Sequence, residues 1–458
     1  MRPVDPADLR GVPVLVVGAG VSGEAATRAL LALGAVVTVT APAGSATADR
    51  LVAAGARFLP GLAAPPAGTA LVVTSPGLRP GDPLLRAAAG AGVEVIGEVE
   101  LGWRLGARSP QAADWLAVTG TNGKTTTVRM LESMLRAAGF AAVAAGNVGL
   151  PVVDAVRVDP PYDVLAVELS SFQLYWSESV RPLAAAVLNL APDHLDWHGS
   201  MAGYTAAKAR IWAGGMAVGN ADDPAVAALL ATAPGRRVGF TLAAPAPGQL
   251  GVVDGMLVDN AYGDGVPLAA VDLVRPAGRQ NVANALAAAA LARTYGVPPG
   301  SVRAGLAGFL PDRHRNELVD VLGGIRYVDD SKATNPHAAS ASLASYDRVV
   351  WIAGGQLKGA SVDELVVAHR HRLAGAVLLG VDRGVIAAAI ARHAPDLPVV
   401  DVGSTHDGAM LEVVRAAIGL ARPGDTVLLA PAGASWDMFT HYGERGDAFA
   451  AAVRKLAG

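Results

Sequence analysis

The sequence predicts an α/β protein of three consecutive domains, each built on a mostly parallel sheet. Three observations carry this reading. Short apolar runs alternate with helix-length segments along the whole chain, the pattern of repeated βαβ units. Glycine-rich turns directly follow two of those runs, in "VPVLVVGAGVSG" and "LAVTGTNGKTTTVRM", where a strand hands over to a helix. A length of 458 residues exceeds what one core organises and suits several.

The elements follow in order. "VPVLVVGAGVSG" reads as strand and turn, "EAATRALLALG" as a helix and "AVVTVT" as a second strand. "ALVVTSPG" and "GVEVIGE" continue the alternation, giving a Rossmann-like domain over residues 1–105. A second domain, 106–311, opens at "DWLAVTG" and runs through "YDVLAVELSS" and "LAAAVLNLAPDH". It includes the helix-like "SMAGYTAAKARIW" and closes on the Ala-rich helix "NVANALAAAALARTYG". "FLPDRHRNE" marks the next boundary. The third domain, 312–458, is again Rossmann-like, with "RVVWIAGG", "GAVLLG", "LPVVDVG" and "DTVLLAPAG" as buried strands. No internal repeat is visible.

Composition removes several classes. Hydrophobic residues make up 52% and charged residues 17%, as in an ordered globular protein. The longest apolar stretch, about residues 137–153, is broken by Asn147, Pro151 and three glycines, so it spans a bilayer badly. "MRPVDPADLR" carries no apolar segment of signal-peptide type. The chain has no cysteine, which excludes disulfides and thiolate metal sites. A net charge of −3 leaves no nucleic-acid footprint. A soluble, cytoplasmic monomer with no nucleic-acid or membrane partner is expected. Only five residues are lysines, against 32 arginines. Codon bias accounts for the ratio. A retained Lys still offers what Arg does not, a compact point charge and a reactive amine.

The first glycine loop, Gly18-Ala19-Gly20-Val21-Ser22-Gly23, stands in the context of a dinucleotide fingerprint. It would seat a pyrophosphate on backbone N–H groups at a helix start. The acid that binds a ribose is missing after the second strand, which ends "TVTAPAG". That disfavours a nicotinamide dehydrogenase and leaves another diphosphate ligand or a structural turn.

The second loop departs from the usual P-loop spacing. Val118 stands where G-x-x-x-x-G-K-[ST] has its first glycine, and the glycine falls at Gly120 instead. The chemistry survives the shortening. Backbone N–H groups of Gly120, Thr121, Asn122, Gly123 and the first helical turn, with Thr126, can cradle phosphates. Lys124 neutralises their charge and the Thr125 hydroxyl can ligate Mg²⁺. Glu168 ends a buried strand, the usual seat of a Mg²⁺ carboxylate, or else pairs with an Arg. His194 lies between Asp193 and Asp196 after the next strand, and read alone it is a loop histidine. Lys208 sits on a helix, where the default is a surface residue.

Together, in this order, these pieces resemble the Mur ligase family of ATP-dependent amino-acid ligases. The resemblance runs through "GTNGKTTT", "GNVG", "ELSSFQL", "DHLDWH", "YTAAKARIW", "GRQNVANALAA", "HRNE", "DDSKATNPHA" and "APAGASWDMFTHYGERG". It covers nearly the whole chain. "ELSSFQL", "DSKATN" and the final segment resemble the branch that adds D-glutamate to UDP-N-acetylmuramoyl-L-alanine. No "DNPR"-type signature of the diamino-acid branch is present.

The resemblance implies the following roles. Val21, Ser22, Ser75, Pro76 and Gly77 bind the UDP-sugar, with Asn147, Ser170, Gln173 and His194 on its muramoyl-alanine end. The acid usual after the second strand falls at about Ala41. Asn281, Asn284, Arg315 and Asp330 join the loop in binding ATP. Thr125 and Glu168 hold one Mg²⁺, and His194 and a carbamylated Lys208 serve a second. Lys124, Asn147, His194, Lys208 and Lys332 form the catalytic set. Thr334, Lys358, Ser435 and Tyr442 bind D-glutamate, with Gln356-Leu357 where an Asp-Gly pair is common. ATP would turn the substrate carboxylate into an acyl phosphate that an amine attacks. A P-loop kinase leaves "DDSKATN" and the first domain unexplained, and a non-catalytic nucleotide binder would have lost the motif residues.

Overall fold

A computed structural model describes residues 9–43, 46–109, 111–404 and 408–457. Residues 1–8, which hold most of the stretch inspected for a targeting signal, lie outside that range. The chain forms two compact units, Met1–Leu273 with Ala283–Phe309 and Val274–Val282 with Leu310–Gly458. Among the described residues no helix is long and apolar enough to cross a membrane.

The first unit contains two sheets. Strands β1 (Pro13–Val17), β2 (Val36–Thr40), β3 (Arg57–Phe58), β4 (Leu71–Thr74) and β5 (Glu94–Gly97) pair in parallel in the order β3-β2-β1-β4-β5. Chain direction across the sheet reverses between β1 and β4, so their carboxyl ends frame the crevice where such sheets bind ligands. The apolar run of β1 is buried beyond its first residue because helices cover both faces.

The second sheet is larger. It comprises β6 (Asp114–Thr119), β7 (Ala142–Gly146), β8 (Val164–Glu168), β9 (Ala184–Val187), β10 (Met216–Asn220), β11 (Arg237–Phe240), β12 (Gln249–Val253), β13 (Met256–Asp259) and β14 (Val266–Ala270). Their order is β14-β13-β12-β11-β10-β9-β6-β8-β7, and β13 alone runs against the rest, so it pairs antiparallel with both β12 and β14. The β12–β13 turn places Asp254 at φ 48 and Gly255 at φ 73, the paired left-handed residues of a tight hairpin.

Two buried acids join the lobes of this unit. Glu98 accepts the Val153 N–H at 2.7 Å, and burial pushes its carboxyl up to about 7. Glu100 accepts from Glu178 N, Ser179 N and Ser179 Oγ at 2.6–2.9 Å and from Arg104 Nε at 2.8 Å. Those donors compensate the burial of its charge.

The second unit holds β15 (Glu317–Leu322), β16 (Ile325–Asp329), β17 (Val349–Gly354), β18 (Leu373–Leu379), β19 (Val399–Asp401) and β20 (Thr426–Ala432). Their order is β15-β16-β20-β17-β18-β19, with β15 alone antiparallel. Alternate residues of β17 enter opposite cores: Val349, Trp351 and Ala353 one, Val350 and Ile352 the other. The Trp351 indole donates to Ala430 O at 2.8 Å, so its burial leaves no polar atom unpaired.

Gly354 ends β17 at φ 139, and a Cβ there would lie 1.7 Å from Leu379 O. Gly354→Ala is expected to destabilise the second unit by about 2–4 kcal/mol, measured by denaturant unfolding.

Candidate active site

The phosphate loop leaves the carboxyl end of β6. Gly123, at φ 86, heads the helix Lys124–Ala137, which has no side-chain cap. A helix start without a side-chain cap suits an anion. A Cβ at 123 would meet Asn284 Oδ1 at 2.3 Å, so glycine is needed for space as well as for φ. The loop after β9 holds this turn. Asn122 N donates to Asn189 Oδ1 at 2.8 Å, and Asn189 Nδ2 returns a bond to Asn122 O at 3.0 Å. Thr121 Oγ1 accepts from Ala191 N at 3.0 Å and lies 3.0 Å from the Tyr204 hydroxyl.

Two lysines converge on this loop. Lys124 Nζ donates to Gly120 O and Thr121 O, both at 2.9 Å. Lys208 Nζ donates to Gly120 O at 2.8 Å and to Thr119 Oγ1 at 3.3 Å. Lys208 is only 1% exposed, against the surface reading of it in isolation. Burial drives its amine well below the ordinary lysine value, and the charge of Lys124 adds to this. Asp193 and Glu168 oppose it.

Glu168 ends β8 and is buried. Its Oε1 accepts from Asn147 Nδ2 at 2.7 Å, while Oε2 is buried with no hydrogen-bond partner. No Arg forms an ion pair with it among the described residues, so the alternative role does not hold. An unpaired buried carboxylate oxygen beside a phosphate loop suits a hard cation, and Mg²⁺ fits this donor set. Thr125 and Thr126 occupy the first helical turn behind Gly123.

His194 adopts φ 52 at the head of the short turn Leu195–His198, with its ring 4.7 Å from that of Phe172. The same turn reaches the first lobe. Trp197 Nε1 donates to Gly77 O at 3.1 Å, and Arg79 pairs with Asp196 at 2.6 Å. His198 Nε2 lies 2.9 Å from Ser171 Oγ. Burial chiefly, with the charges of His194 and Lys208, pushes that imidazole down to about 4. Ser170 and Gln173 form a capping box on the helix Ser171–Tyr175, so the fold already uses both side chains.

In the first lobe the helix Val21–Ala32 also begins without a side-chain cap, at Gly20. Val21 is exposed there, 75%, although apolar. A Cβ on Gly18 would lie 2.2 Å from Ser75 Oγ, so the two glycine-bearing loops touch at the β1–β4 crevice. Ala41 directly follows β2.

In the second unit the remaining residues gather at the carboxyl ends of β16, β17 and β20. Asp330 Oδ1 accepts from Asn316 N at 3.2 Å, and desolvation pushes its carboxyl up to about 6 against the charge of Arg315. Lys332 Nζ lies 4.0 Å from the Tyr442 ring centre, and Thr334 N donates to Lys332 O at 2.8 Å. Ser435 is buried, and its carbonyl accepts from Phe439 N at 2.8 Å. Lys358 adopts φ 54 with its Nζ 4.2 Å from the Trp436 ring centre. In this same unit Asn281 Nδ2 donates to Ala277 O at 3.4 Å.

The sequence reading missed several supporting residues. Asn189 directly follows an apolar run and could have been read as loop chemistry. Buried Arg445 donates to Ser331 Oγ, Ser331 O and Gly433 O at 2.8–3.0 Å, joining "DDSK" to the final motif. His314 Nδ1 lies 2.7 Å from Asp329 Oδ2, and Gly446 leaves room for that pair.

Comparison with known proteins decides the family. Residues 118–292 match the Mur ligase middle domain, and 314–433 match the Mur ligase, glutamate ligase domain. The UDP-N-acetylmuramoylalanine--D-glutamate ligase of Thermobifida fusca is 57% identical, over 98% of this chain and 100% of its own length. That of Streptomyces coelicolor is 54% identical over 98% of this chain and 99% of its own. This chain belongs to the Mur ligase family. Solved Mur ligases share its fold. The UDP-N-acetylmuramate-alanine ligase of Thermotoga maritima superposes with a TM-score of 0.60 at 18% identity, covering 97% of this chain and 99% of that one. A pseudomurein peptide ligase type C from Methanothermus fervidus gives 0.59 at 18% identity, covering 97% and 100%.

The depressed His198 makes this Mur ligase acid-sensitive in a predictable window. As pH falls from 6.5 toward 4, the unfolded chain binds a proton there that the folded chain refuses, so stability is lost. His198→Gln is expected to lose less stability than wild type between those two pH values, measured by denaturant midpoints across pH.

Proposed function

We propose that this Mur ligase joins D-glutamate to UDP-N-acetylmuramoyl-L-alanine with cleavage of ATP to ADP and phosphate. The product would be a precursor for peptidoglycan, made in the cytoplasm. The observation that carries the ATP-dependent activation is the convergence of Lys124 and Lys208 on the Gly120 carbonyl, with the unpaired Glu168 Oε2 nearby. The choice of amino acid rests on relatives above 50% identity that bear the D-glutamate ligase name. Three sheets support a division at 105/106 and 311/312 into UDP-sugar, ATP and amino-acid domains.

The chemistry follows from what a carboxylate lacks. It is a poor electrophile, so its oxygen first attacks the γ-phosphorus and ADP departs, leaving an acyl phosphate. The amine then attacks the acyl carbon, and phosphate leaves as the amide forms. Both steps bring anions together, so positioning and positive charge dominate. Lys124 and the uncapped N–H groups hold the ATP phosphates. Asn147 and His194 orient the muramoyl-alanine carboxylate, and Ser75, Pro76 and Gly77 seat the diphosphate with Val21 and Ser22. Mg²⁺ would be held by Thr125 and Glu168, with His194 and Lys208 at a second site, and would neutralise the charge developing on phosphate. The depressed Lys208 amine suits addition of CO₂ with loss of a proton, which would give a carbamate oxygen as ligand. Arg315, Asp330, Asn281 and Asn284 complete ATP binding. Lys332 joins Lys124, Asn147, His194 and Lys208 in the catalytic set, and Thr334, Lys358, Ser435 and Tyr442 receive D-glutamate.

Phosphate release from ATP, Mg²⁺ and UDP-N-acetylmuramoyl-L-alanine across a panel of amino acids tests this reading. Release is expected with D-glutamate. Release with another amino acid would move the enzyme to a sister branch, and release with ATP alone would end the ligase reading. Lys124→Ala and Lys208→Arg are each expected to lose at least about 100-fold in turnover, the second despite keeping its charge.

A further inference from the structure

The site reading places Lys358 against a substrate carboxylate, and the structure gives that lysine a particular neighbour. Its ammonium lies 4.2 Å from the ring centre of Trp436, and the indole is 66% exposed. Among the described residues no carboxylate lies within ion-pair range of Lys358. Three loops fix this pair. Gln356 and Ala434 exchange backbone hydrogen bonds at 2.8 and 2.9 Å, lacing the Lys358 loop to the Ser435 loop. Leu357 N donates to Asp382 Oδ2 at 2.7 Å, and Val381 N to Asp437 Oδ2 at 2.8 Å. The backbone on either side of the cation is therefore anchored, and Lys358 itself is held at φ 54.

We infer that the Trp436 indole is a positioning residue for the amino-acid substrate. It holds the Lys358 ammonium on its face and presents that cation to the side-chain carboxylate of D-glutamate. An acidic partner would neutralise the cation and compete with the substrate. An aromatic face orients it and leaves its charge and its remaining N–H donors for the incoming anion. An indole over a substrate-binding cation must also change surroundings when an anion arrives, so Trp436 reports occupancy.

The inference rests on the D-glutamate reading, and steady-state kinetics separate the two. Trp436→Leu is expected to raise KM for D-glutamate about three- to five-fold, with KM for ATP and for the UDP-sugar unchanged. Trp436→Phe, which keeps an aromatic face, restores most of the difference. D-glutamate titration should change the intrinsic fluorescence of wild type, and the change should be absent in Trp436→Phe. No D-glutamate-dependent turnover in wild type would overturn the site reading and this inference with it. D-glutamate-dependent turnover with an unchanged KM in Trp436→Leu would overturn this inference alone. So would a fluorescence response that survives in Trp436→Phe.

Discussion

The first unit is organised around one carbonyl oxygen. Gly120 O accepts from the Nζ of Lys208 and of Lys124, at 2.8 and 2.9 Å, so two lysine side chains meet at one backbone oxygen. The glycine at 120 takes φ 157 there, and Gly123 then turns the chain into a helix that has no side-chain cap. The cost appears in Lys208, whose charge is disfavoured by burial and by Lys124. A bound polyphosphate would relieve both penalties by accepting the positive charge. The same corner of the fold holds Glu168 Oε2, a buried carboxylate oxygen with no hydrogen-bond partner, so opposite charges face one another across the loop.

The surrounding structure keeps that arrangement rigid. Asn122 and Asn189 exchange bonds, Thr121 ties to Ala191, and Tyr204 closes the loop from the helix that carries Lys208. The turn bearing His194 also touches the Ser75–Gly77 loop through Trp197. Contacts of this kind link the β1–β4 crevice of the first sheet to the glycine loop after β6 of the second. One substrate could then span both without either loop having to find its place on binding.

Much of this was legible in the sequence, for identifiable reasons. The phosphate loop, Glu168 and the parallel strands follow from local pattern, because apolar runs ending in glycine leave the backbone few options. The antiparallel extension β12–β14 and the hairpin β15–β16 were not read. Their "DG" and "GG" turns are the signal, but the flanking runs are short and alternate weakly. The burial of Lys208 could not be read from its helix, since the partner surface comes from residues nearly ninety positions earlier. Ser170 and Gln173 carry a family motif, and their S-x-x-Q spacing is also the signature of the capping box they form, a signal the sequence reading passed over. The Lys358–Trp436 pair joins separate loops, and no sequence pattern announces such a contact.

The central claim is that ATP cleavage here activates the substrate carboxylate directly. Labelling both carboxylate oxygens of UDP-N-acetylmuramoyl-L-alanine with ¹⁸O and analysing the released phosphate by mass spectrometry tests it most directly. Attack of that carboxylate on the γ-phosphorus predicts one ¹⁸O in each phosphate released with amide formation. Phosphate free of label would mean that water, and not the carboxylate, had taken the phosphoryl group, and would contradict the account.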